Sequence, residues 1–220
     1  MSTFLDDLTL ILDLLVVISA VVFYTGLFVW WHSRRNDIAR AQSHLKEGAG
    51  ILGLIGVFLA ALAFWGEFTW PLPGSYNIYF FDPLFLLAFL LIAFALAVWY
   101  RLPTHFVGMI SFVTGAGIAF YGIRAYQLGL TQDPFETLLL YLGFGAMGVL
   151  AFPATLYVDW AVQARGESSA AAPLANDLVA LYPRFWTGVV ALFLLIVVLA
   201  GFASLAYGFN TVWAHLGHPP

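Results

Sequence analysis

Asp6, Asp7, Asp13, Glu67, Asp82, Asp133 and Glu136 gather at one set of ends of long apolar stretches, with Arg124 as the single cation among them. Clustered carboxylates hold hard cations and focus positive charge, so this set suggests binding or translocation of a small cation or a proton-coupled solute through an acidic vestibule. Glu67, Asp82 and Arg124 sit at or just inside apolar stretches, where an ion is costly unless paired or hydrated. Asp13 lies deeper, well inside the first stretch. The segment Trp70-Pro71-Leu72-Pro73-Gly74-Ser75-Tyr76-Asn77 runs between Glu67 and Asp82. Its prolines fix φ and its glycine admits a positive φ, which confines the loop to one shape and makes Trp70, Tyr76 and Asn77 candidate lid residues over the vestibule. Two plainer readings stand beside these: Arg124 locks helices together by pairing with Glu67 or Asp82, and the loop is a rigid connector.

A second group lies at the opposite ends. His44 and Glu47 are three residues apart and share a helical face, and His105 and Asp159 fall at the same boundary. These are ligand types for a divalent metal ion such as iron, manganese or zinc, and they point to a membrane enzyme acting on a lipid-soluble substrate such as a quinone. Only one His-x-x-Glu pair is present, however. Glu47 also complements the positive end of its own helix, and His32 and His105 suit a headgroup zone. The chain contains no cysteine, which removes disulfides, thiolate nucleophiles and any Cys-ligated cluster. His215 and His218 sit beyond the last apolar stretch, in a tail. Gly143, Gly145 and Gly148 form a Gly-x-Gly-x-x-Gly string inside an apolar stretch with no preceding strand, which reads as helix packing rather than a dinucleotide fingerprint.

The elements that must position these groups follow from composition. Of 220 residues, 62% are hydrophobic and 9% charged, against about a quarter charged in a soluble domain, and the mean hydropathy is +0.92. Apolar stretches of spanning length cover residues 8–31, 48–68, 83–100, 106–126, 137–160 and 185–209. None alternates with period two, so the fold expected is an all-α membrane protein, a bundle of about six transmembrane helices in one domain over residues 1–220. The first stretch lacks a basic start and a small-residue cleavage site, and reads as a retained span. Seven of the eight basic residues lie at one set of ends, Arg124 being the exception. The positive-inside rule then places both termini outside. All eight tryptophans fall near span ends, at headgroup level. The inner connection 161–183 contains Gly166-Glu167-Ser168-Ser169-Ala170-Ala171-Ala172-Pro173 and is expected to be mobile. No basic run suggests nucleic acid; the partner is the lipid bilayer, together with a homo-oligomer or a larger membrane complex.

Small residues mark the faces where helices meet in lipid. Gly53, Gly56, Ala60 and Ala63 make a stripe that continues to Glu67, so Glu67 should face protein. Gly108, Ser111, Gly115 and Gly122 make a second, with Thr114, Gly117, Tyr121 and Arg124 alongside, which aims Arg124 into the bundle. Tyr141, Gly145, Gly148 and Thr155 make a third, ending at Asp159. The third stretch, rich in Leu and with Phe85, Phe89 and Phe94, has no such stripe and should face lipid.

Trp70 to Asn77, followed by Phe81-Asp82-Pro83-Leu84, resembles the signature of an uncharacterised prokaryotic multi-span membrane family, a domain of unknown function found in archaea and some bacteria. The resemblance covers most of the chain. It implies a shared multi-span fold and a prokaryotic plasma membrane location, and it carries no activity to transfer. Three functions are left in competition: cation or proton-coupled solute binding at the acidic end, a metal-dependent membrane enzyme at the histidine end, and an accessory subunit of a larger complex.

Overall fold

The computed structural model describes residues 7–72, 74–131, 133–164, 177–179 and 181–217. Most of the inner connection, including Gly166 to Pro173, lies outside the described residues, as does His218. The long elements are α1 (Asp7–Arg34), α2 (Ile38–Thr69), α3 (Ser75–Trp99), α4 (His105–Leu128), α5 (Pro134–Val158), a π-helical turn (Asp159–Ala164) and α6 (Pro183–Gly217). Among the described residues there is no strand, and six helices are long and apolar enough to cross a membrane. This is a multi-pass, all-helical membrane protein.

Helices overrun the apolar stretches at several ends. α2 starts ten residues before Gly48, because the Asp37 side chain caps it by accepting from the Arg40 N–H at 3.3 Å, and the charged first turns project beyond the apolar zone. α3 starts at Ser75 and carries Pro83 in its interior rather than at its beginning. At the other end of α2, Trp70 closes the helix in the left-handed region at φ 49°, its N–H returning to the Gly66 carbonyl.

Each helix packs on its neighbours in the chain, and α6 returns to α1, so the six close into a ring in chain order. The tightest joint is between α4 and α5, where the second and third small-residue stripes meet. A Cβ on Gly115 would lie 2.5 Å from the Gly145 carbonyl oxygen, and one on Gly148 would lie 2.8 Å from the Gly115 Cα. Backbone touches backbone there, so nothing can move aside for a side chain. The first stripe meets α3: a Cβ on Gly53 would press on Ala95, and one on Gly56 would reach the Ala88 carbonyl. The expectation that the third span faces lipid is therefore corrected. Phe85 and Phe89 are exposed, but Phe81, Leu84, Ala88, Leu91 and Ala95 are buried against α2. Ala88 and Ala95, seven residues apart, supply the small face of α3.

Gly115→Val should lower the melting midpoint in detergent sharply, since overpacking of a closed core costs about 1–3 kcal/mol even where neighbours can shift. Gly117→Val, whose Cβ would meet nothing within 4 Å, should leave it nearly unchanged. Equal shifts in the two melts would contradict the backbone contact between α4 and α5.

Candidate functional site

At the acidic end the structure gathers part of the expected set. Glu67 on α2 faces Asp82 on α3, and its Oε1 is buried without a hydrogen-bond partner. The Tyr121 hydroxyl of α4 donates to Asp82 Oδ2 at 3.1 Å. Arg124 does not join them. One turn beyond Tyr121 it is exposed, and its guanidinium donates to Gln127 Oε1 of its own helix at 3.2 Å. The helical phase that turns Tyr121 inward carries Arg124 outward, so the expected inward arginine, paired with Glu67 or Asp82, is replaced by a carboxyl pair bonded to a tyrosine. Asp13 is exposed on α1, with Gly208 of α6 beside it.

The loop residues have defined structural work. Asn77 is fully buried; its amide donates to the Gly66 carbonyl at 3.1 Å, and its carbonyl oxygen accepts from the Leu72 N–H at 3.3 Å. That clip ties the end of α2 to the start of α3. The Tyr76 hydroxyl donates to the Leu130 carbonyl and so joins this loop to the one between α4 and α5. Trp70 is exposed.

Inside the ring lies a cavity of about 240 Å³. Its lining runs from Ile11, Thr137 and Tyr207 near the acidic end to Val29, Leu45 and Val158 near the basic end, almost wholly apolar throughout. At the acidic end its polar lining is a tyrosine group. Tyr141 stacks on Tyr79 with ring centroids 4.4 Å apart, and its hydroxyl donates to the Tyr79 carbonyl at 2.6 Å. The Tyr207 hydroxyl lies 3.3 Å from Thr137 Oγ1. The bond to Tyr79 has a covalent cause. Proline at 83 has no N–H, so the carbonyl four residues earlier, at Tyr79, has no donor within its helix, and a buried carbonyl in lipid needs one from elsewhere. The sequence places Tyr141 on the third small-residue stripe without revealing this pairing. The signal available was the proline inside an apolar helix.

The histidine end divides into separate pairs. Asp159 is fully buried, and its Oδ1 accepts from the Thr104 N–H and hydroxyl at 2.9 and 2.7 Å. Its Oδ2 accepts from the His105 N–H at 2.9 Å and faces His105 Nδ1 at 2.7 Å. Four bonds fill the lone-pair sites of a carboxylate. Asp159 thus caps α4 from outside, where the N-cap Thr104 makes no side-chain cap of its own. With its Nδ1 proton directed to Asp159, His105 keeps its acceptor at Nε2. His44 belongs to a different group: its Nδ1 is 3.7 Å from Glu47 Oε2, and its ring stacks on His32 at 5.3 Å. Among the described residues no three of the His, Asp and Glu side chains cluster so as to hold a metal ion. His105 with Asp159 and His44 with Glu47 are therefore brought together as pairs and not as one centre.

Tyr141→Phe should destabilise the protein by roughly 1–3 kcal/mol, the cost of an orphaned buried carbonyl. Pro83→Ala restores an N–H to that carbonyl, so in the Pro83→Ala background the Tyr141→Phe penalty should shrink markedly. Additive penalties in a double-mutant cycle would refute the link between Pro83 and Tyr141. Asp159→Ala leaves the Thr104 and His105 N–H groups and the His105 ring without their buried partner and should cost about 3 kcal/mol or more, read as a melting midpoint against the exposed control Asp133→Ala.

No curated protein and no solved structure matches the chain. A family model described as Protein of unknown function (DUF981) matches residues 1–218, nearly end to end. The chain therefore belongs to this family of proteins of unknown function.

Proposed function

We propose that the protein binds a lipid-soluble molecule with one polar end inside the central cavity of its helix ring. The observation that carries this reading is the cavity of about 240 Å³, walled along its length by Leu, Ile, Val and Phe side chains. Such a lumen rejects ions, and apolar voids stay dry and accept apolar guests. An acyl or isoprenoid chain fits its chemistry. At the acidic end the Tyr207 hydroxyl, and the lone pairs of the Thr137 and Tyr141 hydroxyls whose protons go to the Asp133 and Tyr79 carbonyls, meet the polar end of such a guest. A way in from the bilayer is offered by the thinnest joint of the ring, between α3 and α4, where Leu87, Leu90 and Phe94 face Val107 and Ile118 across the cavity.

A second reading rests on Glu67 and Asp82. Two carboxyl groups facing each other repel unless a proton or a small cation lies between them, so this pair is a candidate site for either, with Tyr121 fixing Asp82. It is the remnant, without Arg124, of the acidic vestibule that the sequence suggests. Coupling of proton or cation binding there to the guest in the lumen joins the two readings. On the positive-inside rule, the end bearing seven of the eight basic residues is cytoplasmic in a prokaryotic plasma membrane, with both termini outside.

Organic extraction and mass spectrometry of the purified protein test the first reading. The wild-type protein should carry a lipid-soluble molecule in near-stoichiometric amount, and Leu87→Trp, which fills the lumen, should carry about tenfold less at equal folded yield, as expected for a loss of about 1.4 kcal/mol. Equal content in both sinks it. The second reading predicts that the purified wild-type protein binds a cation, or takes up a proton, in calorimetric titration and that Glu67→Gln does not; indistinguishable titrations sink that one.

A further inference from the structure

We propose that the basic end carries a binding site for a net-negative phosphodiester, the headgroup of an anionic phospholipid, between the end of α1, the π-helical turn and the start of α6. A second cavity, of about 410 Å³, lies there, lined by Arg34 of α1, Arg35 of the turn after it, Arg184 of α6, Ser33, Asn36 and Tyr157, among others. Its chemistry is unlike that of the lumen. Among the described residues, three guanidinium groups border it and no carboxylate does. None of the three makes an ion pair among the described residues, whereas Arg40, outside this cavity, pairs with Asp37 at 3.3 Å. Among the described residues, three positive charges thus border one concavity without a carboxylate partner, and their summed field draws an anion there.

The type of anion follows from geometry and depth. Planar guanidinium forks match phosphate oxygens in pairs, which a halide or a single-point acceptor does not exploit. Arg34 lies over the Trp30 ring at 5.4 Å and Arg35 over the Trp31 ring at 4.2 Å, so the aromatic faces hold both cations at the cavity rim. Ser33 and Tyr157, whose hydroxyls are 3.0 Å apart, form a buried polar wall beside them. Trp30, Trp31 and Trp160 put the cavity at the height where indoles sit among headgroups. Basic pockets between membrane helices at this level suit anionic headgroups. The exposed Phe185 beside Arg184 and the exposed Trp31 offer apolar surface on which acyl chains can lie. A lipid phosphodiester therefore fits both halves of the site, and free phosphate only the charged half.

The test is a melting series on the detergent-purified full chain with added phosphatidylglycerol, phosphatidylcholine or inorganic phosphate. Phosphatidylglycerol should raise the midpoint more than phosphatidylcholine does. Arg34→Gln with Arg184→Gln, and separately Arg35→Gln, should need about tenfold more phosphatidylglycerol for the same rise. Arg40→Gln and Arg101→Gln, outside the cavity, should behave as wild type. If inorganic phosphate alone reproduces the rise and the same arginine variants abolish it, the site is a phosphate site and its lipid assignment is overturned. If phosphatidylglycerol and phosphatidylcholine act alike, or if the arginine variants respond as wild type, the site itself is overturned. Native mass spectrometry of phosphatidylglycerol adducts on wild type and Arg35→Gln gives the same decision should the double variant fail to fold.

Discussion

In hydrocarbon there is no water to hydrogen-bond a stray carbonyl or amide, and this single constraint organises the molecule. Three places show how it is met. Pro83 frees the Tyr79 carbonyl, and Tyr141 reaches across from α5 to occupy it. The first amides of α4 are claimed by Asp159, from the junction of α5 with the π-helical turn. The end of α2 is held by Asn77, which bonds Gly66 on one side and Leu72 on the other. Each repair comes from a different helix or loop than the defect, so satisfying the backbone also fixes which elements are neighbours.

That constraint and the small-residue faces together shape the ring. Where two glycine stripes meet, α4 and α5 approach to backbone contact; where Leu and Phe side chains stand between α3 and α4, the joint is thin. Uneven joints around a closed circle leave space at the centre. The cavity is thus a consequence of side-chain size, and its lining inherits the apolar character of spans whose outer faces must also be apolar.

Much of this was legible in the sequence. Six spans followed from hydrophobic length, the packing faces of α4 and α5 from Gly115, Gly145 and Gly148, and the inward turn of Glu67 from the stripe leading to it. What was not legible had specific causes. Arg124 depended on helical phase near the end of α4, where one turn decides between bundle and exterior. The face of α3 was hidden because Ala88 and Ala95 do the work that glycine does elsewhere. The separation of His44 and Glu47 from His105 and Asp159 is a matter of position around the ring, and linear spacing carries no information on that. Asp159 could be read as ionisable but not as saturated, since its donors lie 54 and 55 residues away.

The hydroxyls of the lumen bear on what it can hold. An ion or a polar solute crossing it would need partners at successive depths, and Thr155 is the clearest candidate for one. Its hydroxyl is already turned back on its own helix, 2.9 Å from the Ala151 carbonyl and 2.8 Å from that of Phe152. Thr25 lines the same space with its Oγ1 packed against Gly48, where a Cβ would come within 1.9 Å. A hydroxyl spent on local backbone or wedged against a glycine offers little to a passing charge, and the carboxylates and arginines of the protein stand toward its two ends. One end is acidic and bonded to tyrosine, and the other is rich in arginine. A long apolar guest beneath a polar headgroup matches that distribution of groups better than a hydrated ion does.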